Sequence, residues 1–175
     1  DLPHLRTVGI VQADAGLSLP DYSASERTFQ LLAQAVGRVG RNQHATTIVV
    51  QSYQPTHPAV TYGLAQDYTN YYHHALRERQ RANFPPYTFL LKLVCVYKTE
   101  AAAIRNAKNL ATTLHSNTPS RVEVLGPTPA FYERAGDTYR WQLVLKSPKR
   151  QDLTDALAHL PPAHWQYELD PTSLL

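Results

Sequence analysis

The order of hydrophobic periods after Pro85 and Pro86 constrains this chain more than any other feature. Residues 87–97, YTFLLKLVCVY, form a long apolar run of strand composition. Over 100–117 the period becomes helical, with Ile104, Ala107, Leu110, Ala111 and Leu114 on one face. Residues 121–125 alternate again, Gly126, Pro127 and Pro129 bend the chain, and 130–134 make a short strand before a turn at 135–137. Residues 139–146 alternate with Tyr139, Trp141, Leu143 and Leu145 on one face. A helix over 152–160 and a strand over 165–169 complete the pattern. The order β-α-β-β-α-β predicts a four-stranded antiparallel sheet with two helices on one face, the ferredoxin-like arrangement.

The side chains of this region divide by face. An open sheet of this kind can bind single strands through aromatics. Tyr139 and Trp141, however, share their face with two leucines, which predicts burial against the helices. Arg140 and Lys146 fall on the opposite, polar face, and Lys149 and Arg150 precede the next helix. All four are candidates for phosphate contact; the alternative is that they keep the face soluble. The single cysteine, Cys95, has no acid or histidine beside it and reads as a small core residue. One cysteine excludes an internal disulfide and fits a reducing compartment.

The N-terminal third follows another plan. Residues 7–12, TVGIVQ, have the pattern of a buried parallel strand. Asp14, at its C-terminal edge, is either a turn former or functional, since open α/β sheets place ligands there. Residues 23–41, SASERTFQLLAQAVGRVGR, open with Ser23 and Glu26 at capping-box spacing. Phe29, Leu32, Ala33 and Val36 make an apolar stripe, while Gln34, Arg38 and Arg41 share a polar face. Gly37 and Gly40 weaken the end of that helix and let backbone approach a ligand. Arginine forks fit phosphate bidentately, although a basic C-terminus also suits a helix dipole. A second strand over 48–53 completes a parallel βαβ unit.

Between these parts, Pro55 and Pro58 mark a boundary and a short helix over 58–63 is expected. Asp67 caps a further helix with Tyr68, Tyr71, Tyr72, Ala75 and Leu76 on its apolar face. That stripe reads as core, with base stacking as the alternative. Arg77, Arg79 and Arg81 crowd its end, suiting either the dipole or a DNA backbone. His73 and His74 point to different faces and make a poor metal pair. The expected division is 1–55, a helical connector over 56–84, and a C-terminal α+β domain over 85–175.

QAVGRVGR resembles motif VI, QxxGRxGR, of superfamily 2 helicases. Residues 13–41 look like the corresponding run of the PriA family of bacterial replication-restart helicases (primosomal protein N′). The runs ALRERQRANFPPYT (75–88), VLGPTPA (124–130), YRWQLVLKSP (139–148) and the terminal ELDPTSLL match that family in order, along nearly the whole chain. Val39 departs from the family's usual GRAGR, and GRVGR is frequent in RecG-like branch-migration helicases. The FPPYT and VLGPTPA elements favour the PriA type.

The resemblance implies an ATP-dependent 3′→5′ DNA helicase that recognises stalled forks and restarts replication through primosome assembly. Residues 1–55 would end the second RecA-like lobe. Arg38 and Arg41 would act on the γ-phosphate of ATP, with Gln34, Gly37, Gly40 and Asp1 at the nucleotide. Asp14, Glu26 and Arg27 would neighbour the motif. ATP and Mg²⁺ belong to the whole parent, and a zinc-binding insert is expected upstream, with no metal bound here. Implied partners are forked and single-stranded DNA, single-strand-binding protein, primosome-loading proteins and the replicative helicase, around a monomer in the bacterial cytoplasm at the nucleoid. A non-catalytic DNA- or protein-binding module is the other reading of the chain by itself.

Composition adds three bounds. No Gly-rich phosphate loop ending in Lys-Ser/Thr and no acidic metal motif occurs, so ATP hydrolysis by this chain unaided is not expected. Methionine is absent even at position 1, which suggests a fragment or processed chain. The net charge of +3 lies wholly beyond residue 62, where 13 Lys and Arg face 10 Asp and Glu, and no run is apolar enough to span a membrane.

Overall fold

The computed structural model describes residues 7–39 and 47–175. It is a mixed α/β chain with a parallel two-stranded sheet and an antiparallel four-stranded sheet. Two compact units divide it, Asp1–Glu78 and Arg79–Leu175.

In the first unit, β1 (Thr7–Ile10) pairs in parallel with β2 (Thr47–Val50), Thr7 opposite Thr47 and Ile10 opposite Val50. Both strands are shorter than their apolar runs. Val11 is exposed, and Gln12 at φ +53 turns β1 away. Beyond β2, Ser52 accepts from the Gln54 amide and bends the chain. Neither strand is buried as its composition predicts: each alternates exposed and half-buried residues, and Val49 is exposed.

A 3-10 turn (Ala15–Ser18) leads to α1 (Ala24–Val39), with Ser23 just before its first residue. Phe29 and Leu32 are buried and Ala33 and Val36 half-buried, so the predicted apolar stripe is the packing face. The stretch expected as a connector packs on that face. Helix α2 (Pro58–Ala65) has Pro at its first position and extends two residues past Gly63. Gly63 is no terminator: a Cβ there would lie 3.0 Å from Leu32 Cβ, so the glycine lets α2 approach α1. Asp67 accepts from the Asn70 amide at 3.1 Å and caps α3 (Tyr68–Arg81). Of its tyrosines only Tyr71 is buried, its ring stacked on Phe29 at 4.1 Å, while Tyr68 and Tyr72 are exposed.

The second unit holds the sheet β4-β5-β3-β6, antiparallel throughout. Its elements are β3 (Phe89–Tyr97), α4 (Glu100–Asn117), β4 (Glu123–Ala135), β5 (Thr138–Ser147), α5 (Arg150–Ala156) with a following 3-10 turn, and β6 (Trp165–Leu169). Leu91 and Leu93 on β3 pair with Leu145 and Leu143 on β5. They meet Leu110, Ala111 and Leu114 of α4 and Leu153 and Ala156 of α5 in one core. Cys95, wholly buried against Ala103 and Ala107, extends this core towards Tyr139 and Trp141. Burial pushes its thiol pKa up.

Two expectations change here. The two strands predicted over 121–125 and 130–134 are one long strand, β4, broken in register. Gly126 allows the first irregularity: its φ is +99, and a Cβ would stand 2.9 Å from the Gln142 carbonyl oxygen. The second helix begins at Arg150 and ends at Ala156, because Leu157–His159 tighten into a 3-10 turn.

Candidate functional site

The exposed face of α1 carries the residues singled out for phosphate chemistry. Gln34 and Arg38 stand one turn apart and both are exposed. Together they offer an amide and a guanidinium along one line, a donor set suited to phosphate oxygens. Gly37 lies between them, and the space above it is used by Gln66, whose Nε2 would be 3.0 Å from a Cβ and donates to the Ala33 carbonyl. Asp1, Gly40 and Arg41 lie outside the described residues.

The neighbouring candidates are tied into the fold. Arg27 forms an ion pair with Asp21, which also accepts from the Ser23 amide and hydroxyl. Glu26 occupies the first turn of α1. Asp14 is buried, and its Oδ1 accepts from the Tyr53 amide at 3.1 Å, fastening the end of β1 to that of β2. Burial raises its carboxyl pKa. Hydrogen bonds from Ser52, its own backbone and Tyr53 outweigh that and leave it below the ordinary value.

The basic residues of the C-terminal part differ in what they touch. Arg77 and Arg81 are exposed, whereas Arg79 donates to the Pro85 carbonyl at 2.8 Å. Arg140 and Lys146 do lie on the face of β5 away from the helices, as alternation predicts. Lys146 nevertheless is buried. Its Nζ donates to the Ala82 carbonyl at 3.0 Å, lies 3.9 Å from the Phe84 ring centroid and faces Glu123. Lys149 is exposed, and Arg150 pairs with Asp170 at 2.9 Å.

Sequence periodicity missed a cleft of about 250 Å³ on that helix-free face. Its lining includes Lys92, Phe131, Tyr132, Arg140, Tyr167 and Glu168. The register explains its wall. Pro129 pairs with Trp141 and Arg134 with Tyr139, so four residues of β4 stand opposite Arg140 alone. Such a bulge re-aims side chains, here Phe131 and Tyr132. The two prolines in GPTP were the one local signal, since proline breaks the ladder wherever it enters a strand.

Among the described residues, no group of three or more His, Cys, Asp or Glu could hold a metal ion, and no helix is long and apolar enough to cross a membrane.

The model of the family "Primosomal protein N C-terminal domain" matches residues 80–172. The replication restart protein PriA of Bacillus subtilis is 31% identical over 170 residues, covering 97% of this chain and 21% of that protein. The PriA of Synechocystis is 36% identical over 148 residues, covering 85% and 18%. That of Haemophilus influenzae is 32% identical over 171 residues, covering 98% and 23%. The chain thus spans about a fifth of the length of these relatives. A family match over more than half the residues, carried on by relatives aligned along almost the whole length, establishes that this chain belongs to the PriA family.

Proposed function

We propose that the chain is the C-terminal part of an ATP-dependent 3′→5′ DNA helicase of replication restart. The observation that carries this reading is the exposed pair Gln34 and Arg38 on α1, inside a parallel β-α-β unit. Motif VI chemistry requires donors free to meet a phosphate chain, and α1 offers them on the face opposite its packing stripe. The exposed residues of β1 and β2 also suit a sheet that continues in the rest of a RecA-like lobe. The order β4-β5-β3-β6, with α4 and α5 on one face, is consistent with a ferredoxin-like domain at the C-terminus.

In the whole protein, ATP with Mg²⁺ supplies the phosphoryl transfer. Arg38 and Arg41 neutralise charge on its γ-phosphate, and Gln34 links nucleotide state to closure of the lobes. The resemblance assigns Gly40 and Asp1 to the nucleotide, whereas at Gly37 the missing side chain makes room for Gln66. Arg77, Arg81, Arg140, Lys149 and Arg150 are the DNA-backbone candidates. The partners are forked DNA, single-strand-binding protein, primosome loaders and the replicative helicase, and the protein works as a monomer at the nucleoid. The zinc insert lies upstream of these residues. The match to the primosomal C-terminal family favours this reading over a RecG-like one.

Arg41→Ala in the full-length protein tests it. Nucleotide binding should persist while DNA-stimulated turnover falls by roughly 10³–10⁵, the worth of an arginine finger. Turnover at the wild-type rate would overturn the assignment.

A further inference from the structure

The cleft on the helix-free face has features that packing alone does not require. Phe131, Tyr132 and Tyr167 are 41%, 67% and 60% exposed, whereas Tyr97, Tyr139, Trp141 and Trp165 of the same unit pack against its core. The rings of Phe131 and Tyr132 meet edge to face at 5.0 Å and make one rigid wall. The bulge that carries them stands opposite Arg140. Arg140 Nε is buried and has no hydrogen-bond partner among the described residues. Arg140 as a whole is half-buried and lines the cleft, so an acceptor that enters there meets its guanidinium side chain.

The charges restrict what enters. Lys92 is already engaged, its Nζ donating to the Leu175 carbonyl at 2.6 Å, and Glu168 sits opposite it in register. Arg140 is therefore the cation that remains for a ligand, enough for one phosphate. The volume of about 250 Å³ falls below the roughly 300–1,000 Å³ of ordinary ligand pockets, so it suits one planar group. Aromatic walls that stack a single base and one arginine for its phosphate are the chemistry of single-strand binding.

We infer that this cleft holds one unstacked nucleotide of a single strand, its base against Phe131, Tyr132 or Tyr167 and its phosphate on Arg140. A duplex does not fit, because its bases show no free face to the rings. The inference rests on the proposal that this protein works on DNA and names a contact within it.

Fluorescence anisotropy on the 175-residue chain tests it with two probes, labelled oligo-dT and an abasic oligonucleotide of equal length. The wild type should bind oligo-dT about five- to a hundredfold more tightly than the abasic strand, the range of one stacked base. The double variant Phe131→Leu/Tyr132→Leu, or Tyr167→Leu, should remove most of that difference and leave the salt dependence intact. Arg140→Gln should lower the salt slope by about 0.7 on both probes. Phe131, Tyr132 and Tyr167 are exposed, so their variants should melt near wild type; Arg140 is half-buried, and its thermal melt shows whether Arg140→Gln is folded. A wild type that binds both probes equally, or ring variants that keep the preference, would overturn the cleft and leave the helicase proposal standing. A wild type that binds neither probe would strike the DNA reading of this chain and the cleft with it.

Discussion

Asp152 joins three parts of the second unit through one carboxylate. Arg121 reaches it from just before β4 with a two-pronged contact, Nε at 2.7 Å and Nη2 at 2.6 Å, and the buried Ser147 hydroxyl donates to it at 2.7 Å. The Arg121 hydrogen bonds, then that of Ser147, hold its carboxyl at about 2 against burial that pushes it up. A carboxyl depressed in the folded state stabilises that state fully above its unfolded value of 3.8 and loses the effect as pH falls towards 2. Asp152→Asn should therefore lower the melting temperature at pH 7 and flatten its fall between pH 4 and about 2. Circular dichroism melts across that range check it, and parallel curves for the two proteins would contradict it. Alternation placed Lys146 on the correct face yet missed its burial. The loop bearing Ala82 and Phe84 folds over the lysine by tertiary packing, which no period of two records. Cys95 was legible because an apolar run around a lone thiol leaves core as its natural place.

Helix α2 depends on its first turn. His57 accepts from the Ala59 amide through Nδ1 at 3.1 Å, which needs a neutral ring protonated on Nε2. Burial, and then the nearby His74, hold the imidazole below its ordinary 6.5. The sign follows from linkage: the cap is fully present above 6.5 and is lost as pH falls through the lowered folded value. His57→Asn keeps an acceptor without a titration, so it should remove the acid side of that dependence. His57→Ala should cost about 0.5–2 kcal/mol at pH 7.5, as removal of a cap does. Denaturant melts at pH 5.5 and 7.5 would read both, and an unchanged pH response in His57→Asn would refute the role. Helices proved more legible than strands. The span 100–117 coincides with α4, because Thr99 caps it at one end and its apolar period persists to the other. Strand β4 was read as two, since Gly126, Pro127 and Pro129 look like a break; only pairing with β5 shows that the strand resumes. Gly63 looked like a helix end and is instead a point of close approach.

The chain as a whole divides into two compact units. The second unit closes its sheet over a leucine core with both helices, and its boundary falls before Arg79. Arg79 bonds to the Pro85 carbonyl, and Ala82 and Phe84 hold Lys146. A segment from Arg79 to Leu175 should accordingly unfold in one cooperative transition. One beginning at Pro85 should melt several degrees lower, since a loss of 1 kcal/mol moves a domain of this size by about 4–8 °C. Scanning calorimetry of both segments decides it; equal melting points would show that 79–84 add nothing. In the sequence the paired prolines at 85 and 86 mark a stop more loudly than the contacts that precede them. The bulge of β4 has one more consequence, for the company the molecule keeps. A sheet that ends in a long regular strand offers unpaired amides and carbonyls to any passing chain. Here the outermost strand lacks two donors at Pro127 and Pro129 and loops out for four residues, so it cannot serve as a straight template. The irregularity that shapes the cleft also stops the sheet from growing at that edge, and so guards against stacking of copies edge to edge.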